Sequence, residues 1–260
     1  MEENMNVIDV HGLCVGYGRT VVLRDLEFSV RRGEVFGILG GSGCGKSTLL
    51  KHLIGLYPVT HGSAKIFGTE LAGINEKDKR ALQRRFGVTY QNGALFGSMT
   101  VGENVALPLE EFTDYSPREI REKVEDKLEQ VGLLDAINKM PSELSGGMCK
   151  RAGLARAMAL DPELLFFDEP SAGLDPITSV ALDELILSLK ERNGTTIVIV
   201  THELSSIFKI VDNAIMLNKG RKGIVDRGNP VYLKEHSADE WVRAFLNRNA
   251  VFVDTEGNGE

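Results

Sequence analysis

Val35-Phe36-Gly37-Ile38-Leu39 runs straight into Gly40-Gly41-Ser42-Gly43-Cys44-Gly45-Lys46-Ser47-Thr48, and the next apolar residues are Leu49, Leu50, Leu53 and Ile54. The first run is uninterrupted and apolar, which suits a strand covered on both faces. The last four residues fall on one face of a helix. Between strand and helix stands G-x-x-x-x-G-K-S without a mismatch. Glycines let successive N–H groups converge on phosphate oxygens, and the N-terminus of the following helix reinforces the pull. In this pattern Lys46 reaches the β- and γ-phosphates and Ser47 ligates Mg²⁺. The stretch is expected to be a nucleotide site in an α/β protein of the P-loop kind.

Working outward, Leu164-Leu165-Phe166-Phe167 is a second apolar run, and it ends in Asp168-Glu169. A carboxylate at the end of a buried strand beside a phosphate loop is placed to hold Mg²⁺, the role expected of Asp168. Glu169, one residue further, is placed to polarise an attacking water. Thr195 to Val200 reads as another buried strand. Between about Gln91 and Leu160 the strand signal fades. Ser116-Pro117-Arg118-Glu119 forms a capping box with proline in the first helical position, followed by Ile120, Val124, Leu128 and Val131 at helical spacing. Within that helical stretch Leu144-Ser145-Gly146-Gly147-Met148 opens a further helix carrying Ala152, Leu154, Ala155 and Met158, so that serine and glycines make a second anion site.

These motifs together resemble ATP-binding cassette proteins over most of the chain. The resemblance implies a mixed β core with an inserted helical subdomain: residues 1–90 and 161–228 as catalytic core, 91–160 as helical subdomain, and 229–260 as C-terminal helix and tail. It also implies roles. Tyr17 matches the aromatic on which adenine stacks. Gln91 matches the glutamine that links Mg²⁺ to a transmembrane partner, and His202 the histidine on the γ-phosphate. Ser145, Gly146 and Gly147 match the signature that closes over the opposite subunit's ATP, with Met148 standing where the family has glutamine. Ser171-Ala172-Gly173-Leu174-Asp175 matches the loop that reaches across to the other subunit. One cassette per chain implies a homodimer with ATP and Mg²⁺ sandwiched between subunits.

The stretch Gln91-Asn92-Gly93-Ala94-Leu95-Phe96-Gly97-Ser98-Met99 and the Met148-ended signature resemble the ATPases of Mla/MCE phospholipid-trafficking systems. That likeness implies an MlaE-like permease, an MlaD-like MCE-domain protein and a small accessory subunit as partners, at the cytoplasmic face of an inner membrane. An importer ATPase for amino acids or another small polar solute is the alternative, and a soluble cassette ATPase acting on nucleic acid or ribosomes is the third reading. Ala94, Leu95, Phe96 and Met99 are expected to form an apolar patch for a membrane subunit.

Composition agrees with these limits. The 260 residues are 42% hydrophobic and 26% charged, with a net charge of −7. That balance is poor for gripping nucleic acid along a broad face. No run approaches the ~18 apolar residues of a membrane span, and the start of the chain lacks the pattern of a signal peptide. Three cysteines without paired spacing argue for a reducing compartment. The histidines outside the motif, His11, His52, His61 and His236, show no metal-ligand spacing. Lys77, Lys79, Arg80, Arg84 and Arg85 read as a solvated helix face. Cys44, beside a lysine and a helix N-terminus, is expected to carry a lowered thiol pKa. Near the C-terminus Trp241, Val242, Phe245 and Leu246 form one stripe expected to dock on the chain's own core, followed by the triplet Val251-Phe252-Val253.

Overall fold

Strand β1 (Asn6–Tyr17) turns at Gly18 into β2 (Thr20–Arg31), and the two pair antiparallel. The computed structural model describes residues 6–18 and 20–249; the triplet Val251-Phe252-Val253 lies outside them. Ile8, Val10, Leu13 and Val15 face inward from β1, and Leu23, Leu26, Phe28 and Val30 from β2. Register shifts between Val10 and Leu13 and between Leu13 and Val15 break the two-residue alternation. This interruption is why sequence periodicity did not mark these long strands.

The second sheet is built by parallel pairing. β3 (Val35–Gly40) leads into α1 (Lys46–Leu53), as its sequence predicts. β4 (Ser63–Ile66) and β5 (Thr69–Glu70) complete the first sheet in the order β2-β1-β4-β5. Then come α2 (Glu76–Gln83), β6 (Phe86–Thr89), α3 (Val101–Phe112), α4 (Pro117–Gln130), α5 (Gly146–Ala157), β7 (Leu164–Asp168) and α6 (Pro176–Asn193). The chain continues through β8 (Thr196–Thr201), α7 (Leu204–Ile210), β9 (Asn213–Asn218), β10 (Gly223–Gly228), α8 (Pro230–His236) and α9 (Glu240–Leu246). The second sheet runs β10-β9-β3-β8-β7-β6, with β10 antiparallel to β9 and every other pair parallel.

The continuous apolar runs have a direct cause, because each central strand feeds two cores. Leu164 and Phe166 join the cluster shared with the first sheet and α1, whereas Leu165 and Phe167 join the cluster shared with the helices. A strand with both faces buried has no polar side to alternate. The helical stretch shares this second cluster, since Val101, Val105, Val124 and Leu128 pack in one group with Phe167 and Ile199. The capping box of α4 forms as expected, with Ser116 and Glu119 exchanging bonds, and Thr100 with Glu103 does the same for α3. Val242 and Leu246 of α9 are fully buried in that cluster, with Trp241 and Phe245 packed against it. The C-terminal helix therefore docks on its own subunit.

Signature helix and sheet meet closely at Gly87. A Cβ there would lie 2.0 Å from the carbonyl oxygen of Ala157, a backbone atom that cannot swing aside. Gly87→Val is expected to lower the melting midpoint by about 4–10 °C, the result of forcing β6 from α5. Calorimetry of the purified variant checks it; an unchanged midpoint would mean the contact is looser than drawn.

Candidate nucleotide site

Glycine sets the shape of the loop between β3 and α1. Gly43 and Gly45 take φ of 70° and 106°, the left-handed region open to glycine at little cost. At Gly45 a side chain would also meet Val22 Cγ1 at 2.8 Å. A Cβ at Gly41 or Gly43 would meet nothing within 4 Å, so that side of the loop is an open cradle. The helix it starts shares with α7 the lack of a side-chain cap. Helices α2 to α6 are each capped by a side chain from the preceding residue, whereas α1 follows Gly45 and has no side-chain cap. Its first N–H groups remain available for an anion.

Around the cradle lies an open cleft of about 810 Å³, lined by Tyr17, Gly41, Ser42, Gly43, Gly45, Lys46, Ser47, Thr48, Gln91, Glu169 and His202. Lys46 is buried and its Nζ donates to the carbonyls of Gly40 at 2.9 Å and Gly41 at 3.1 Å, with Glu169 Oε1 at 4.0 Å. Ser47 Oγ donates to Asp168 Oδ1 at 3.0 Å. Burial pushes the Asp168 carboxyl above its usual pKa, opposed by the Ser47 hydroxyl and helped by the charge of Glu169. Glu169 Oε1 lies 2.8 Å from His202 Nδ1. Glu169 sits at φ 50°, held there by its N–H to Val200 O at 2.8 Å and by Ala172 N–H to its own carbonyl. Non-glycine residues in this region carry strain of about 1–2 kcal/mol, and such strain concentrates at functional sites. A hydroxyl beside a carboxylate, a buried ammonium and uncapped helix N–H groups fit a metal-bound polyphosphate: the first pair offers oxygens to a divalent cation, the others neutralise the phosphates.

The other expected site residues lie elsewhere. Ser145 caps α5 by accepting from Met148 N–H, and Ser145 and Gly146 are exposed away from the cleft. Asp175 caps α6 by accepting from the N–H groups of Ile177 and Thr178. Gly147 lies against α6, where a Cβ would meet Thr178 Cγ2 at 2.8 Å.

Cys44 is a correction. Its side chain turns under the loop rather than into the cleft and is 3% exposed. Burial raises the thiol pKa, outweighing Lys46 and the backbone N–H donors. The helix N-terminus and the lysine were legible in sequence; the desolvation that overrides them was not. Maleimide is therefore expected to label Cys44 slowly at neutral pH, with or without nucleotide, and no faster than half-buried Cys14 or Cys149. Peptide mapping after timed labelling reads this out; rapid labelling of Cys44 would contradict its burial.

Several contacts carry no signal in sequence. Arg156 at the end of α5 donates to the carbonyls of Ala94 at 2.9 Å and Gly93 at 3.2 Å, and lies 5.8 Å from the Phe96 ring centroid. Gly93 and Gly153 pack backbone to backbone, each too close to the other element to admit a Cβ. Lys150 Nζ donates to Pro170 O at 2.7 Å and also to Ala172 O. The signature helix thus grips both the segment after Gln91 and the loop after Glu169. Of the expected apolar patch, Ala94 and Phe96 are exposed and Leu95 and Met99 half-buried. Asn104 holds the loop by accepting from Phe96 N–H at 2.8 Å. From the C-terminal side, Phe245 and Arg248 also line the cleft. Among the described residues no group of three or more His, Cys, Asp or Glu side chains is clustered to hold a metal, and no helix is long and apolar enough to cross a membrane.

Comparison with known proteins supplies the family. The profile described as ABC transporter matches residues 23–172, more than half of the chain and all of the stretch from the phosphate loop to Glu169. The chain belongs to the ABC transporter family. As a cassette of that family it binds and hydrolyses ATP as a transporter subunit. It is 38% identical over 248 residues to the intermembrane phospholipid transport system ATP-binding protein MlaF of Escherichia coli K12, covering 95% of this chain and 91% of that one. It is 43% identical over 240 residues to the probable ribonucleotide transport ATP-binding protein mkl of Mycobacterium leprae, covering 92% of this chain and 68% of that one. The chain thus spans about two thirds of the length of the mycobacterial relatives. Among solved structures, it superposes on CbiO1 of Clostridium perfringens with a TM-score of 0.81 at 28% identity, covering 90% of this chain and 92% of that one. The cassette MJ0796, solved as a dimer in a post-hydrolysis state with ADP and Pi, gives 0.78 at 26% identity over 85% of this chain and 98% of that one.

Proposed function

We propose that this chain is the ATPase of a transporter that moves phospholipid between membranes. The observation that carries the reading is the end-to-end correspondence with MlaF, 95% of one chain against 91% of the other. In this reading the chain works at the cytoplasmic face of an inner membrane as a homodimer, in the arrangement described for MJ0796. Its partners are an MlaE-like permease, an MlaD-like MCE-domain protein and a small accessory subunit.

Each side chain has a task. Tyr17 stacks on adenine, the cradle from Gly40 to Gly45 and Thr48 bind phosphate oxygens through backbone and side-chain donors, and Lys46 neutralises charge between the phosphates. Ser47, Asp168 and Gln91 hold Mg²⁺, which supplies charge neutralisation at the phosphates. Glu169 orients the water and takes its proton. His202 holds the Glu169 carboxylate at 2.8 Å and reaches the terminal phosphate. Ser145, Gly146, Gly147 and Asp175, none of which lines their own cleft, serve the ATP of the second copy. Phe96, 52% exposed and with the Arg156 guanidinium 5.8 Å from its ring centroid, presents the surface on which a permease segment docks.

The name carried by the mycobacterial relatives favours a second reading, transport of a ribonucleotide or another small polar solute. Native mass spectrometry of the detergent-extracted complex separates the two. Co-purified permease and MCE-domain subunits with bound phospholipid support the first; a solute-binding protein without bound phospholipid overturns it.

A further inference from the structure

The C-terminal helix contributes a cation to the phosphate cleft that no motif marks. Lys46 and Arg248 are the one lysine and the one arginine among the described residues lining it. Lys46 is committed to the carbonyls of Gly40 and Gly41 and faces Glu169 at 4.0 Å. Asp168 and Glu169 place two carboxylates beside the phosphate loop, and Glu203 stands next to His202. A nucleoside triphosphate brings about four negative charges at neutral pH, and one lysine with a divalent cation leaves part of that uncompensated.

Arg248 is held where it is needed. Val242 and Leu246 anchor α9 in the core, and Asp239 caps its start. Asn247 Nδ2 donates to Lys234 O at 3.0 Å, and Asn249 N–H donates to Ala244 O at 2.9 Å, so the turn carrying Arg248 is tied on both sides. Its guanidinium pairs with Glu203 Oε1 at 3.4 Å, and Glu203 follows His202, which lines the same cleft. Both partners are solvent-exposed, the arginine side chain at 70% and the glutamate at 43%. Such a pair is weak and easily exchanged for a better anion, and a planar guanidinium matches phosphate oxygens two at a time.

We propose that Arg248 is a further nucleotide-binding residue, leaving Glu203 to take the terminal phosphate of ATP and thereby favouring ATP over ADP. The inference rests on the cleft being the ATP site, so the test includes a variant of the cleft itself. Titration calorimetry on the full chain with Mg²⁺ compares ATP and ADP binding to the parent, Arg248→Gln, Arg248→Lys and Lys46→Ala. Expected is about a fivefold weaker ATP affinity for Arg248→Gln, with ADP within about twofold, only part of the loss restored by Arg248→Lys, which keeps the charge but not the planar fork, and both nucleotides weakened by Lys46→Ala. Glu203→Gln, which removes the competing carboxylate, is expected to tighten ATP. Parent-like binding of both nucleotides by Arg248→Gln, with both lost in Lys46→Ala, overturns the role of Arg248 and leaves the cleft intact. Equal loss of ATP and ADP in Arg248→Gln overturns the assignment to the terminal phosphate. If Lys46→Ala binds both normally, the cleft reading fails and this inference with it.

Discussion

Glu169→Gln is expected to bind ATP like the parent and to hydrolyse it about 10²–10⁴-fold more slowly, the usual span for losing a general base. The amide keeps the size of the side chain and still accepts a bond from His202, whose Nδ1 is 2.8 Å from Glu169 Oε1. It cannot accept the proton of water. Because binding is spared while turnover stops, the ATP-bound dimer should accumulate, visible as a doubled mass by light scattering in ATP but not in ADP. The strained backbone at φ 50° is retained by either side chain, so a fall in stability is not expected to confuse the result. Undiminished turnover would remove Glu169 from the chemistry.

Lys46→Ala acts one step earlier. Its ammonium is buried between two carbonyls of the loop and is the one cation inside the cradle itself among the described residues. Losing a charge-assisted contact of this kind costs about 1.5–3 kcal/mol, so nucleotide affinity should fall about 10- to 100-fold. Turnover at saturating ATP falls as well, since the same charge faces the transferred phosphate. Titration with ATP and with ADP separates this variant from Glu169→Gln, which leaves both affinities near the parent values. Affinity unchanged in Lys46→Ala would mean that ATP binds outside the cradle.

The chemistry at the strand ends was readable because its parts are local. A glycine loop between an apolar strand and an apolar helix face carries its geometry within twenty residues, Val35 to Ile54, and Asp168-Glu169 ends a strand whose burial on both faces shows as an unbroken apolar run. The antiparallel pair β1 and β2 was hidden because bulges break its alternation. Cys44 was misread because a thiol's pKa depends on the atoms above and below it, not on its neighbours in sequence. Arg156 on the loop after Gln91, the Gly93–Gly153 approach and Arg248 at the cleft all join positions far apart in the chain. No local pattern encodes such contacts. The signature serine was legible as a helix cap, which it is, whereas the use across a dimer proposed for it rests on family resemblance alone.

The most direct measurement is lipid movement in a reconstituted complex. The chain, co-purified with its membrane partners, is placed in proteoliposomes carrying an isotopically labelled phospholipid, with protein-free acceptor vesicles and labelled ribonucleotide in the medium. The expected result is ATP-dependent redistribution of the phospholipid, absent with Glu169→Gln, and no ATP-dependent uptake of the ribonucleotide. Ribonucleotide uptake driven by ATP, with the phospholipid left where it started, would contradict a phospholipid-moving ATPase.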